Sequence, residues 1–148
     1  MGSSLDASTL RDAMTLYLEA NYGPAIQEAE LRDPGVLTLL AEDGRRLAGY
    51  AQLREGPAPD CVLGPDPIEI RRFYVDRAWQ GRGIAQTLMM ASLEAAVARG
   101  ARTVWLAVWE RNLRAQAFYR KCGFDDCGAA EFVLGRDRQT DRVMARAL

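Results

Sequence analysis

The pattern of hydrophobic and polar positions divides the chain into helices and strands. Apolar residues at helical spacing predict two short helices near the start, at 8–20 and 24–32, and two more at 83–99 and 113–122. Short apolar runs bounded by turn residues predict strands at 36–41, 47–53, 68–75, 103–109, 124–134 and 140–147. The predicted order of elements is therefore α-α-β-β-β-α-β-α-β-β.

Turn residues and connections indicate how the strands pair. Asp43-Gly44 between the first two strands is typical of a hairpin. The segment 54–67 holds four of the six prolines and is predicted to be a loop. Strand, helix and strand over 68–109 indicate a parallel pair with a right-handed crossover. We therefore predict a single α/β domain over residues 1–148, with a mixed, mostly antiparallel sheet.

The apolar positions also predict which residues lie in the core. Strand 103–109 is apolar on both faces, so we expect it to be central, with Trp105 and Trp109 in the core. The last two predicted helices also carry apolar positions. In the helix at 83–99 these are Ala85, Leu88, Met89, Leu93, Ala96 and Val97, and in the helix at 113–122 they include Leu113, Ala117 and Phe118.

Composition narrows the choice of partners and compartment. The net charge of −1 over 148 residues gives no electrostatic reason to expect nucleic acid as a partner. No apolar run approaches the length of a membrane span, and residues 1–10 lack the pattern of a signal peptide. Cys61, Cys122 and Cys127 show no C-x-x-C spacing, which favours packing roles in a reducing compartment. We therefore expect a cytoplasmic protein without nucleic-acid or membrane partners.

Histidine is absent from the chain. Its absence excludes, within this chain, a Ser-His-Asp triad, a Cys-His pair, an H-E-x-x-H zinc helix and a two-histidine iron site. We expect no metal. Any chemistry must therefore use carboxylates, tyrosine, lysine, cysteine, backbone dipoles or a cofactor.

The start of the helix at 83–99 is unusual in its charge. Residues 80–85 read Gln-Gly-Arg-Gly-Ile-Ala, and the first acidic residue after Gly83 is Glu94. Helices favour acidic residues in the first turn, because the free N–H groups make that end positive. A dinucleotide fingerprint would need glycine at Gln86, and a P-loop would need Gly-Lys-Ser/Thr. The turn is therefore either a plain helix entry or a binding site for an external anion.

The glycine turn at 80–85 and a second stretch, VWERNLRAQAFYRKCGF at 108–124, follow each other along the chain. Together they resemble two motifs of the GCN5-related N-acetyltransferase (GNAT) family. The strand followed by Gln-x-x-Gly-x-Ala at 80–85 is similar to the family's loop for the pyrophosphate of coenzyme A. The stretch at 108–124 is similar to the downstream motif, with Asn112, Ala115, Phe118, Tyr119, Gly123 and Phe124 at the expected spacings. The resemblance covers roughly residues 36 to 147.

The resemblance implies the acyl-CoA N-acyltransferase fold, a mostly antiparallel sheet with a central parallel strand pair flanked by helices. The family normally begins with a further strand and helix, and MGSS at residues 1–4 cannot supply a strand. We therefore expect either a trimmed member of the family or residues upstream of Met1. The sheet edge left by a missing strand could be covered by a second copy in a homodimer.

The resemblance also implies how acetyl-CoA would bind as a cosubstrate. The backbone of Phe73, Tyr74 and Val75 would pair with the pantetheine arm like an added strand, while the side chains of Phe73 and Val75 belong to the core. Asn112 would contact the coenzyme, and it is also a favoured residue for capping the helix that follows. The residues that would hold the pyrophosphate are Gln80, Gly81, Arg82, Gly83, Ile84 and Ala85.

Acetyl transfer needs a base and an acid, and the resemblance implies one candidate for each. Glu69 lies six residues before Val75, like the proton-accepting glutamate of the histone-acetylating members; alternatively it pairs with Arg71 on the same strand face. Tyr119 matches a tyrosine near the coenzyme sulfur, which can protonate the leaving thiolate. Alternatively, Tyr119 only packs, with its hydroxyl in water.

The acceptor is expected to be a small-molecule amine. The tail at 132–148 resembles that of bacterial spermidine/spermine (PaiA-like) acetyltransferases, with Phe132, Gly135, Gln139, Asp141 and Met144 in matching order. This favours a polyamine, and the alternatives are a protein N-terminus, an amino acid or an aminoglycoside. A coenzyme-binding sensor module without catalysis is an alternative of another class, which the presence of Glu69 and Tyr119 disfavours.

Overall fold

The computed structural model describes residues 34–43, 46–76, 81, 83–134 and 137–148. Some predicted features lie outside the described residues: the helices at 8–20 and 24–32, the hairpin tips at Gly44 and Gly135, and Gln80 and Arg82 of the glycine turn.

The described elements are β1 (Val36–Asp43), β2 (Arg46–Glu55), β3 (Pro67–Val75), α1 (Ile84–Ala98), β4 (Thr103–Trp109), α2 (Leu113–Lys121), β5 (Asp125–Leu134) and β6 (Asp137–Ala147). Each corresponds to a predicted strand or helix. β6 begins at Asp137 rather than at 140, because Asp137 already pairs with Leu134 of β5. Neither of these two helices is long and apolar enough to cross a membrane.

The strands form a six-stranded sheet in the order β1-β2-β3-β4-β6-β5. β1 and β2 pair antiparallel, as predicted from the Asp-Gly turn, and β6 pairs antiparallel with both β4 and β5. β3 and β4 pair in parallel, with Pro67 opposite Thr103 and Glu69 opposite Trp105. The prediction of a mostly antiparallel sheet with a central parallel pair is therefore confirmed.

Residue contacts divide the chain into two compact units. The first comprises Met1–Arg54 and Arg72–Ser92, and the second comprises Glu55–Arg71 and Leu93–Leu148. A core cluster of the first unit consists of Ala41, Ala51 and Leu88, with Leu39, Phe73, Val75 and Ile84 packed against it. The most deeply buried apolar side chains of the second unit include Ile68, Val104, Phe124, Val143 and Met144. A single domain over residues 1–148 stays a prediction.

The predicted cores of β4 and α1 are confirmed only in part. Trp105 is buried, but Trp109 is 46% exposed because it ends the strand. Leu88 of α1 is buried as predicted, whereas Val97, in the last turn, is 56% exposed. Ser92 is buried as well, and its hydroxyl donates to the carbonyl of Leu88 at 2.7 Å, which removes the cost of burying it.

Two of the apolar residues of α2 that we expected in the core are exposed. Leu113 is 70% exposed and Ala117 is exposed, while the buried residue is Gln116. The amide nitrogen of Gln116 donates to the carbonyl of Trp109 at 3.1 Å and to that of Glu110 at 2.9 Å. Hydrogen bonds to the end of β4, rather than an apolar stripe, therefore hold this face of α2.

Candidate active site

Two glycines with left-handed backbone conformation lie just before α1. Their φ angles are 81° at Gly81 and 78° at Gly83, values that residues with a Cβ adopt only with strain. The N–H of Thr87 donates to the carbonyl of Gly83 at 3.1 Å, so the first helical hydrogen bond closes on this glycine. The first turn of α1 contains no acidic residue, as predicted. The positive end of the helix therefore suits an anion from outside the turn.

The end of β3 shares its packing with the start of α1. The side chains of Phe73 and Val75 pack on the same core cluster as Ile84, the first residue of α1. Tyr74, between them, is 38% exposed, and its ring centroid lies 6.0 Å from that of Tyr50. The side chains of Phe73 and Val75 thus belong to the core, and only their backbone is suited to bind a ligand.

Gly49 of β2 lies directly against the end of β3. A Cβ at this position would overlap the carbonyl oxygen of Tyr74 and lie 3.1 Å from the Cα of Val75. The N–H of Asp76 donates to the carbonyl of Ala48 at 2.7 Å just beyond it. Gly49 was not among the predicted site residues, although a glycine inside an apolar strand often marks a close backbone approach.

Asn112 is the N-cap of α2, and its Oδ1 accepts a hydrogen bond from the N–H of Ala115 at 3.1 Å. The capping role considered for Asn112 is therefore confirmed. Capping uses only the side-chain oxygen, and the amide nitrogen is a separate donor. A coenzyme contact of Asn112 is compatible with the cap.

Gly123 ends α2, which explains why the second motif has a glycine four residues after Tyr119. Its φ is 91°, and its N–H donates to the carbonyl of Arg120 while that of Phe124 donates to the carbonyl of Tyr119, both at 3.0 Å. These two bonds form a Schellman motif, which favours glycine at this position. Phe124 is buried, and its ring lies edge-on to that of Tyr119 with a centroid distance of 6.0 Å. The Gly-Phe pair therefore ends α2 and fixes the ring of Tyr119.

The hydroxyl of Tyr119 is held in its protonated form. Burial and, to a smaller extent, negative charge on the neighbouring Cys122 together raise the pKa of Tyr119 to about 12. At neutral pH the side chain is therefore a hydrogen-bond and proton donor rather than a base.

Glu69 lies on β3 between the buried residues Ile68 and Ile70. Its side chain is half-buried and shares a sheet face with Trp105, its partner in the parallel pair. It belongs to the same compact unit as Tyr119. Among the residues that the structure describes, no group of three or more His, Cys, Asp or Glu side chains could hold a metal ion.

Comparison with known proteins agrees with this architecture. The model of the acetyltransferase (GNAT) family matches residues 6–124. An uncharacterised N-acetyltransferase of Mycobacterium tuberculosis is 36% identical over 132 residues, 89% of this chain and 80% of that protein. The N-alpha-acetyltransferase RimI of the same organism is 38% identical over 123 residues, 80% of this chain and 73% of that protein.

Two further similarities are more distant. A probable spermine N(1)-acetyltransferase of Bacillus subtilis subsp. natto is 25% identical over 87 residues, 58% of this chain and 57% of that protein. The ribosomal-protein-S18-alanine N-acetyltransferase of Escherichia coli has a similar fold, with a TM-score of 0.73, 20% identity and coverage of 98% of this chain and 91% of that chain. Together with the motifs at 80–85 and 108–124, these matches show that the chain belongs to the GNAT family and is an acetyl-CoA-dependent N-acetyltransferase.

Proposed function

We propose that this enzyme transfers the acetyl group directly from acetyl-CoA to the α-amine of a protein or peptide, with both substrates bound together. The start of α1 carries the coenzyme part of the proposal, because two left-handed glycines lead into a first turn without acidic residues. A dianionic pyrophosphate matches the positive end of such a helix. In this proposal, Gln80, Gly81, Arg82, Gly83, Ile84 and Ala85 hold the pyrophosphate.

The pantetheine arm, in this proposal, pairs with the backbone at Phe73, Tyr74 and Val75. The close approach at Gly49 and the packing of Phe73 and Val75 support it, since both hold that backbone in place. Hydrogen bonds from an extended backbone are well suited to the amide groups of the arm, which resembles a peptide. Asn112 contributes a further coenzyme contact through its amide nitrogen.

The chemistry begins when the ammonium group of the acceptor loses a proton, which frees its nitrogen to attack the thioester carbonyl. It ends when the carbon–sulfur bond breaks and the second nitrogen proton passes to the thiolate or to water. Glu69 accepts the proton that the ammonium group loses, directly or through water. Tyr119 donates a hydrogen bond to the sulfur as thiolate charge develops. A thiol has a pKa of about 8.5, well below the value of about 12 for Tyr119 in the coenzyme-free protein. In this proposal, Tyr119 therefore acts mainly by stabilising the thiolate through a hydrogen bond. Full transfer of its proton to the sulfur contributes less.

Similarity to RimI supports a protein α-amine as the acceptor, because it is stronger and covers more of the chain than similarity to the spermine enzyme. Acidic side chains of β5 and β6 could attract a polyamine, but two of them already have partners. Asp126 accepts hydrogen bonds from Arg142 at 2.7 and 2.5 Å, and Asp141 accepts one from Gln139 at 2.8 Å. A polyamine, favoured by the tail resemblance, is the second candidate.

An assay of coenzyme A release tests the proposed acceptor. We expect thiol release above background with short peptides that carry a free α-amine. The matched control is the same peptides with the α-amine blocked, which should give none. Release with spermidine or spermine but with none of the peptides would contradict the protein acceptor and favour a polyamine. Absence of release with every amine class, despite coenzyme binding, would favour a coenzyme-binding module without catalysis.

Gly83→Glu tests the pyrophosphate site. We expect a large loss of acetyl-CoA affinity by calorimetry, because a carboxylate at this helix end repels the pyrophosphate. Gly100→Glu is the matched control: its φ is 84°, and within the described part of the chain a Cβ would meet nothing within 4 Å at either glycine. Both variants therefore carry similar backbone strain. Equal affinities in the two folded variants would contradict the site.

Tyr119→Phe tests the role of the hydroxyl while retaining the ring that packs on Phe124. We expect kcat to fall about 10²–10³-fold, as when one donor to a developing negative charge is removed. Acetyl-CoA affinity should stay nearly unchanged, because the bond to sulfur strengthens mainly as the thiolate forms. A kcat within twofold of the parent, with chemistry limiting turnover, would leave Tyr119 only a packing role.

Glu69→Gln tests the base. The variant should lose acetyl transfer most strongly at low pH, and the loss should shrink as pH rises, because more of the amine then arrives without its extra proton. Profiles of kcat/KM against pH measure this directly. A loss that is equal at every pH, and that Arg71→Gln reproduces, would assign Glu69 to pairing with Arg71 instead.

A further inference from the structure

Two cysteines outside the proposed catalytic groups lie in contact. Cys61 belongs to the loop at 56–66 and Cys127 to β5, and their Sγ atoms are 3.5 Å apart. Both residues have free thiols and are half-buried rather than enclosed in the core. In sequence the two residues are far apart, so this contact depends on the tertiary fold.

The backbone around Cys127 is adapted to this contact. The pairing of β5 with β6 shifts register between Asp126 and Gly128, which makes Cys127 the extra residue of a β-bulge. Gly128 provides the space for the partner, because a Cβ there would lie 3.1 Å from both Cβ and Sγ of Cys61. A bulge that displaces one cysteine and a glycine that admits the other together set the distance between the sulfurs.

The loop that carries Cys61 is also held in place. The N–H of Val62 donates to the carbonyl of Pro59 at 2.9 Å, which closes a turn around Cys61. At Gly64, the loop approaches β4 so closely that a Cβ would overlap the hydroxyl of Thr103. The loop therefore presents Cys61 to β5 from a defined position.

We propose that Cys61 and Cys127 form a reversible disulfide when the protein meets a peroxide. The sulfurs must approach from 3.5 Å to the bond length of about 2.0 Å. That movement is small for a surface loop of this length. The disulfide would link the loop at 56–66 covalently to β5, within one compact unit.

The order of the steps follows from the surroundings of Cys127, whose thiol lies 3.4 Å from the carbonyl oxygen of Val143, which can only accept a hydrogen bond, and 3.5 Å from Sγ of Cys61. Burial, and then the contact with Cys61, raises the pKa of Cys127 to about 11, so this thiol keeps its proton at neutral pH. The Cys61 thiolate attacks one peroxide oxygen, and the O–O bond breaks to give the sulfenic acid of Cys61 and hydroxide. Cys127 then attacks the sulfenic sulfur, and its thiol proton leaves with the hydroxyl group as water. A dithiol reductant reverses the reaction.

Thiol counting on the whole chain tests the proposal. Hydrogen peroxide should lower the number of free thiols, measured under denaturing conditions, from the three of the reduced chain to one. Peptide mapping should show Cys61 linked to Cys127, and dithiothreitol should restore all three thiols. The oxidised protein should also melt several degrees higher than the reduced one, because a cross-link of this span restricts the unfolded chain. Three persisting thiols, or linkage through Cys122, would overturn the proposal.

Four variants sharpen the test. Cys122→Ser is the matched control and should form the disulfide at the parental rate. Gly128→Ala should slow its formation, because the added methyl group displaces Cys61.

In Cys127→Ser, a sulfenic acid on Cys61 should be trapped by dimedone, whereas Cys61→Ser should give much less trapping at Cys127. The opposite preference would overturn the order of attack, and a pairing rate that Gly128→Ala leaves unchanged would overturn the role of Gly128.

Discussion

The start of α1 leaves the positive end of the helix without an acidic side chain to balance it. The chain turns through two left-handed residues at Gly81 and Gly83, and the helix then packs on the core through Ile84. An acidic residue in the first turn would stabilise a helix by about 0.3–1 kcal/mol, and α1 has none there. In the proposed function, the pyrophosphate of acetyl-CoA supplies the missing interaction. In the proposed function, the coenzyme binds at a helix N-terminus whose partial positive charge is not balanced by an acidic residue of the first turn.

The position of Tyr119 depends on a helix that is too short to be stable by itself. α2 has nine residues, and isolated helices of this length are marginal in water. Polar contacts fix it instead: Asn112 caps its start, Gln116 binds two carbonyls at the end of β4, and Gly123 closes its end. The downstream family motif therefore contains the residues that build the helix as well as the tyrosine that it presents.

The described strands and helices could be predicted well because hydrophobic period and turn residues are local properties. Burial near the ends of elements could not, since Trp109 and Leu113 are apolar residues whose exposure depends on where neighbouring elements stop. Gln116 was missed because a polar residue in a helix is normally exposed, and its two carbonyl partners, Trp109 and Glu110, lie at the end of β4 and just after it. The contact between Cys61 and Cys127 joins distant segments, which no local pattern reveals.

Hydrogen–deuterium exchange with and without acetyl-CoA tests the account of the coenzyme site most directly. The start of α1 and the end of β3 are separate in sequence but share one core cluster through Phe73, Val75 and Ile84. We therefore expect acetyl-CoA to slow amide exchange in both segments, at 73–75 and 81–85, more than in β1 or β5. Saturating acetyl-CoA that leaves both segments unprotected, while slowing exchange elsewhere, would contradict the account.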